Sequence, residues 1–203
     1  MALLSTQYLI LRRTPYRESD WIVCGLSPDV GKLSLVLPGA RKAGDGKCPE
    51  ADIFREFEAE YSISDGSELG TARNLELIAD ASNIAEDPDA FQFAGALAAF
   101  ALANSAPDLA APLSYDVLRN ILLNFAEAPG KRIWTREEAS ALFKITWLTE
   151  AGLLDGGSRR EFLESVIDAG IGAEALPEVR EGYWRELADY LNDRIRRSGL
   201  RWK

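Results

Sequence analysis

The rhythm of apolar and polar positions changes near residue 80. Before that point apolar residues come in short runs or in alternation. Tyr8-Leu9-Ile10-Leu11 is a β-rich run, and residues 21–26 and 33–37 form two more. Pro28-Asp29-Val30-Gly31 lies between the last two and reads as a tight turn, with Gly31 free to take a positive φ. Phe57, Ala59, Tyr61 and Ile63 alternate with charged or polar neighbours, the period of a half-buried strand. Asp65-Gly66 is a hairpin signal. Leu69, Thr71, Leu75 and Leu77 make a fifth run, interrupted at Ala72-Arg73, where a bulge is expected. Five short strands separated by turns predict an OB-type barrel over residues 1–80.

Beyond Asp80 the spacing becomes three-and-four and alanine becomes frequent. Pro88-Asp89 can start a helix with Phe91, Ala94, Leu97, Ala98 and Leu102 on one face, ended by Pro107 and Pro112. A second helix carries Val117, Leu118, Ile121, Leu122 and Phe125 and stops at Pro129-Gly130. Thr135 with Glu138 is a capping box. It opens a third helix through Ala139, Leu142, Phe143, Ile145, Thr146 and Leu148, ending at Gly152. A shorter helix is predicted over 159–169. A last one is predicted from about Pro177 to Arg197, with Tyr183, Leu187, Tyr190, Leu191 and Ile195 as its stripe. The fold class expected is α+β: a five-stranded barrel, residues 1–80, followed by an all-helical domain, residues 81–203. The boundary is a switch of composition rather than a linker.

Charge complicates the picture. The net charge is −9, but it is unevenly spread. Residues 1–48 carry seven Lys/Arg against four Asp/Glu, whereas residues 49–80 carry two against nine. The chain has no histidine, which excludes histidine triads and histidine metal ligands. Of its two cysteines, Cys24 falls in a strand pattern and reads as a small buried hydrophobe, while Cys48 falls in a loop as a candidate free thiol. No disulfide, zinc site or other cofactor is expected. No apolar run approaches the ~20 residues that cross a bilayer, and the N-terminus lacks the basic region of a signal peptide. A cytoplasmic monomer is expected.

The candidate chemistry is binding rather than catalysis. Gly39 to Lys47 is a basic loop, but Arg41 and Cys48 stand where a phosphate loop needs Gly and Ser/Thr. Glu56, Glu58 and Glu60 occupy alternate strand positions and suggest a solvent-facing acidic strand face; no nucleophile or metal ligand accompanies them. Arg12, Arg13, Arg17, Lys32, Arg41, Lys42 and Lys47 lie at strand ends or in loops. If barrel loops converge on one rim, several of them share a surface suited to a phosphate backbone, with Tyr16 and Trp21 as stacking candidates. The alternative is that Trp21 belongs to the core and the cations are scattered. Arg194, Arg196 and Arg197 close the last helix. There they complement the helix dipole, or they dock an acidic peptide or nucleic acid.

Several pieces, in order, resemble the RecO family of bacterial recombination mediators. They are Pro15-Tyr16-Arg17-Glu18-Ser19-Asp20, Gly31-Lys32-Leu33-Ser34, Gly39-Ala40-Arg41-Lys42, Glu58-Ala59-Glu60-Tyr61 and Glu68-Leu69-Gly70-Thr71. Leu142-Phe143-Lys144-Ile145 to Leu153-Leu154 resembles the helix and turn that precede the family's zinc module. Here Asp155-Gly156-Gly157-Ser158 follows with no cysteine, so the module is not expected. The resemblance implies a non-enzymatic DNA repair and recombination protein with an OB barrel and a helical domain. It implies binding of single-stranded and double-stranded DNA, annealing, and recombinase loading onto strands coated by single-strand-binding protein. It also implies two partners, RecR and the acidic tail of single-strand-binding protein. Arg17, Lys32, Arg41 and Lys42 match the barrel motif; Arg12, Arg13 and Lys47 are added on electrostatic grounds. An alternative reading is an interaction module that binds those partners and little DNA.

Overall fold

The computed structural model describes residues 3–41, 51–154 and 157–201. Lys42, Lys47 and Cys48 lie outside the described residues.

Five strands form a closed barrel in the order β1-β2-β3-β5-β4. They are β1 (Leu4–Tyr16), β2 (Asp20–Ser27), β3 (Gly31–Leu37), β4 (Arg55–Ser62) and β5 (Leu69–Asp80). All neighbours are antiparallel except β3 and β5, which run parallel over Ser34–Val36 and Leu69–Thr71. This is the OB architecture expected from the strand rhythm. Tyr8, Ile10, Val23, Leu33, Leu35, Leu37, Phe57, Ala59 and Tyr61 fill the interior. In β3 the alternation is strict: Leu33, Leu35 and Leu37 are buried and the residues between them are half-exposed. Three irregularities re-aim strands. Leu11 is skipped where β1 pairs with β2, and Ile78 and Arg73 are the extra residues where β5 passes Glu56–Phe57 and Glu60–Tyr61 of β4.

Two details depart from the sequence reading. Glu56 is buried rather than solvent-facing, so the acidic face of β4 is limited to Glu58 and Glu60. Leu77 of the fifth run is exposed.

The barrel unit is not contiguous in sequence. It comprises Met1–Asn83 together with Ser105–Ala111. The latter segment lies against the β2–β3 turn. Lys32 N–H donates to the Ala106 carbonyl (3.1 Å), Asp108 N–H donates to the Val30 carbonyl (2.9 Å), and Gly31 and Pro107 form a β-bridge. Gly31 has φ +69°, and a Cβ there would sit 2.2 Å from the Leu109 carbonyl oxygen. Only glycine accommodates both conditions.

The second unit, Ile84–Asn104 with Pro112–Lys203, is helical. Its helices are α1 (Pro88–Asn104), α2 (Pro112–Ala126), α3 (Arg136–Glu150), α4 (Arg160–Gly172) and α5 (Tyr183–Arg197). Asp87 caps α1 by accepting from Asp89 and Ala90 N–H, and its other oxygen accepts from Arg132. The Ala90 amide first, then the Arg132 guanidinium, holds its carboxyl below the usual range. The Thr135/Glu138 capping box forms as expected.

Helix α3 is central, packing against α2, α4 and α5. It is buried all round from Ala141 to Leu148, which is what a helix apolar on every face requires. Orphan backbone groups at helix ends find side chains from neighbouring elements. Glu150 accepts from Leu113 and Ser114 N–H at the start of α2, and Asn120 donates to the Gly170 and Ile171 carbonyls at the end of α4.

The stripes predicted for α1 and α5 are each one residue too wide. Phe91 and Tyr190 are exposed, with Ala90 buried beside the first. Helix α5 starts at Tyr183 rather than Pro177, because Gly182 takes φ +78° and Pro177 biases its predecessor towards extended backbone.

Candidate nucleic-acid interface

In an antiparallel run of strands, successive connections alternate between the two ends of the barrel. The β1–β2 turn and the β3–β4 connection therefore share one end, and the β2–β3 turn occupies the other. A rim shared by several of the cations accordingly cannot include Lys32. Lys32 pairs with Leu26 at the far end of the β2–β3 ladder, five steps from the Trp21–Leu37 pair. At about 3.3 Å per residue that is roughly 16 Å. Arg12 is exposed on β1 but stands opposite Cys24, whereas its neighbour Arg13 stands opposite Val23. Adjacent strand residues point to opposite faces, so Arg12 is turned away from Arg13.

Arg13 and Arg41 come together at Trp21, and Arg41 links them to the neighbouring Arg17–Tyr16 pair. Trp21 is half-buried and packs on the barrel interior. The Arg13 guanidinium lies over its ring at 4.5 Å from the centroid, and that of Arg41 at 5.2 Å. Arg17 lies over the Tyr16 ring at 4.9 Å. These contacts fall within cation–π range.

The backbone that carries the cluster is tightly specified. Arg17 takes φ +51° in the β1–β2 turn. Arg41 N–H donates to the Ser19 carbonyl (2.9 Å), and Arg41 Nη1 donates to the Arg17 carbonyl (3.0 Å). Buried Asp20 accepts from Gly39 N–H at 2.9 Å and from the Ser19 hydroxyl at 3.1 Å. The turn after β3 is thereby pinned to the β1–β2 turn.

One of the cluster's cations is paired with an acid. Arg13 Nη1 is 3.2 Å from Asp52 Oδ2 and also donates to the Ala51 carbonyl. Sequence reading missed Asp20 and Asp52. The inward-facing acid next to Trp21 was a usable signal for the first. Asp52 sits in an aperiodic loop, where nothing local shows which strand it meets.

The C-terminal cations are differently placed. Arg194 donates to the Leu153 carbonyl (2.8 Å), Arg197 pairs with Asp193 (2.8 Å), and Arg196 Nε reaches the Asn192 carbonyl of its own helix (3.4 Å). Arg194 serves as a brace for the turn after α3.

Residues 1–81 match the family model described as Recombination protein O N terminal. Over 79 residues the chain is 32% identical to the DNA repair protein RecO of Listeria welshimeri serovar 6b and to that of Listeria innocua serovar 6a. Over the same length it is 33% identical to that of Listeria monocytogenes serotype 4b. Over its barrel, this chain is similar to the RecO family. The match covers 39% of this chain and 30% of each relative, so the chain spans under a third of the relatives' length in the matched part. The segment matched by the family model contains every residue of the arginine–aromatic cluster.

The zinc site that many family members carry does not fit the residues here. Cys24 is buried in β2 and accepts from the Ser34 hydroxyl, and the chain has no histidine. Among the described residues no group of three or more His, Cys, Asp or Glu could hold a metal, and no helix is long and apolar enough to cross a membrane.

Proposed function

We propose that the chain is a non-enzymatic DNA repair and recombination protein that binds single-stranded DNA at the Arg13–Tyr16–Arg17–Arg41 end of its barrel. One observation carries the reading: three guanidiniums and two aromatic rings converge on one end of a barrel that matches the RecO N-terminal family model. Backbone phosphates supply the affinity, and unstacked bases add about 1–3 kcal/mol for each aromatic contact. Binding of duplex DNA, annealing of complementary strands, recombinase loading, and contacts with RecR and the single-strand-binding protein tail extend this reading to the whole protein.

Fluorescence anisotropy of a labelled oligo-dT against salt tests it. Three neutralised phosphates predict a log–log slope of about −2. Arg41→Ala should flatten that slope by about 0.7. The loss should be alike for mixed-sequence and oligo-dT strands, because phosphate contacts carry no sequence information. A flat salt response in the wild-type protein would remove DNA as the ligand and leave the interaction-module reading.

Asp52 provides a second check. Its carboxylate competes with phosphate for Arg13. Asp52→Asn should tighten oligo-dT binding by about fivefold at low salt and by less at high salt. The fold should hardly change, since a half-exposed ion pair contributes about 0–1 kcal/mol. Unchanged or weaker binding by the variant would take Arg13 out of the interface.

A further inference from the structure

We infer that Trp21 is the positioning residue of this interface, acting through the two guanidiniums it holds rather than by stacking on a base itself; the inference rests on the DNA-binding reading above. Three observations place it there. The indole is seated on the barrel interior, so its position is set by the packed strands and not by a mobile loop. Two guanidiniums from distant parts of the chain, Arg13 of β1 and Arg41 of the turn after β3, lie over that one ring. Both are also anchored at their edges, Arg13 to the Ala51 carbonyl and Asp52, and Arg41 to the Arg17 carbonyl.

A ring covered in this way has little surface left for a base. Its contribution is to bring two long cationic side chains close together before any ligand arrives. Unrestrained arginines lose rotamer freedom when they bind phosphate, and side chains already fixed lose less. Their mutual repulsion is offset by the negative face of the indole that both meet. Tyr16, whose ring is met by Arg17 among the described residues, is the aromatic side chain this reading leaves to a base.

The inference separates Trp21 from an ordinary core residue by what it depends on. Trp21→Leu keeps apolar bulk at the site but removes the ring face. It should weaken oligo-dT binding about tenfold. Trp21→Phe keeps a ring face and should stay within about threefold of wild type. In an Arg13→Gln/Arg41→Gln background, Trp21→Leu should change affinity no further, because the groups it positions are gone.

Thermal unfolding of each variant establishes that the barrel is intact, and the phenylalanine variant carries the test if the leucine variant does not fold. Wild-type affinity in a folded Trp21→Leu protein would overturn the inference while leaving the binding reading in place. So would a full additional loss in the double-glutamine background. A Phe variant as weak as the double-glutamine protein would overturn it as well. Absence of oligo-dT binding by the wild-type chain would overturn the reading and the inference together.

Discussion

Gly31→Ala is expected to destabilise the barrel by about 3 kcal/mol, from left-handed backbone strain of about 1–2 kcal/mol together with the cost of overpacking. The new methyl group would sit 2.2 Å from the Leu109 carbonyl oxygen and 2.7 Å from that of Ala106, both main-chain atoms that cannot rotate away. Relief requires the Ser105–Ala111 segment to lift, which loosens the bonds from Lys32 N–H to Ala106 and from Asp108 N–H to Val30. Gly39→Ala is the internal reference. Gly39 has φ +71° but, among the described residues, nothing within 4 Å of the Cβ position, so it isolates the backbone term at about 1 kcal/mol. Urea unfolding of the two variants separates strain from collision. Equal losses at the two sites would mean that the 105–111 segment yields freely and that its contacts contribute little.

Lys144→Met is expected to stabilise the helical unit at neutral pH. Lys144 lies in the part of α3 that is buried all round, with its ammonium donating to Asn192 Oδ1 at 2.8 Å. Burial, partly offset by the Asp189 carboxylate, pulls its pKa down from 10.5 to about 8. The direction of the pH dependence follows. Below pH 8 both the folded and unfolded states carry the charge, and folding bears the full cost of burying it. Between about 8 and 10.5 the folded protein releases a proton that the unfolded chain still holds, so stability rises with pH. The ceiling of the effect is on the order of 3 kcal/mol. Methionine avoids the burial cost but gives up the bond to Asn192, so the net gain at pH 7 should be about 1–2 kcal/mol. The stability difference between variant and wild type should shrink as pH rises from 8 to 10. A difference that is constant across that range, or a destabilised variant, would show that the ammonium is well compensated inside the unit.

What the sequence disclosed and what it withheld divide along a physical line. Features set by neighbours in the chain were legible. The run Tyr8–Leu11, the alternation of Leu33, Leu35 and Leu37, the turn at Gly31 and the reciprocal cap of Thr135 and Glu138 all came through, because each depends on a few consecutive residues. Features set by what lies opposite were not. Phe91 and Tyr190 match the spacing of their buried stripes, but the edge of a stripe is fixed only by the partner helix. Lys144 interrupts an apolar stretch, and nothing local says that its face is covered. The grouping of Arg17 with Arg41, and the separation of Lys32 from both, follows from strand direction alone. It could have been deduced once the antiparallel order was assumed, before any coordinates. The covering of Trp21 by Arg13 and Arg41 could not, since it joins two segments whose register is fixed by the closed barrel.

The interleaving of the two units bears on how the polypeptide is made. Translation delivers all five strands before the segment that seats on Gly31, and that segment arrives only after the whole of α1 has been synthesised. A nascent chain halted at the end of β5 would hold every strand yet present an unanswered amide at Lys32 and an unanswered carbonyl at Val30. The β2–β3 turn of this barrel is therefore covered from downstream, by residues the ribosome supplies only after the last strand and a full helix.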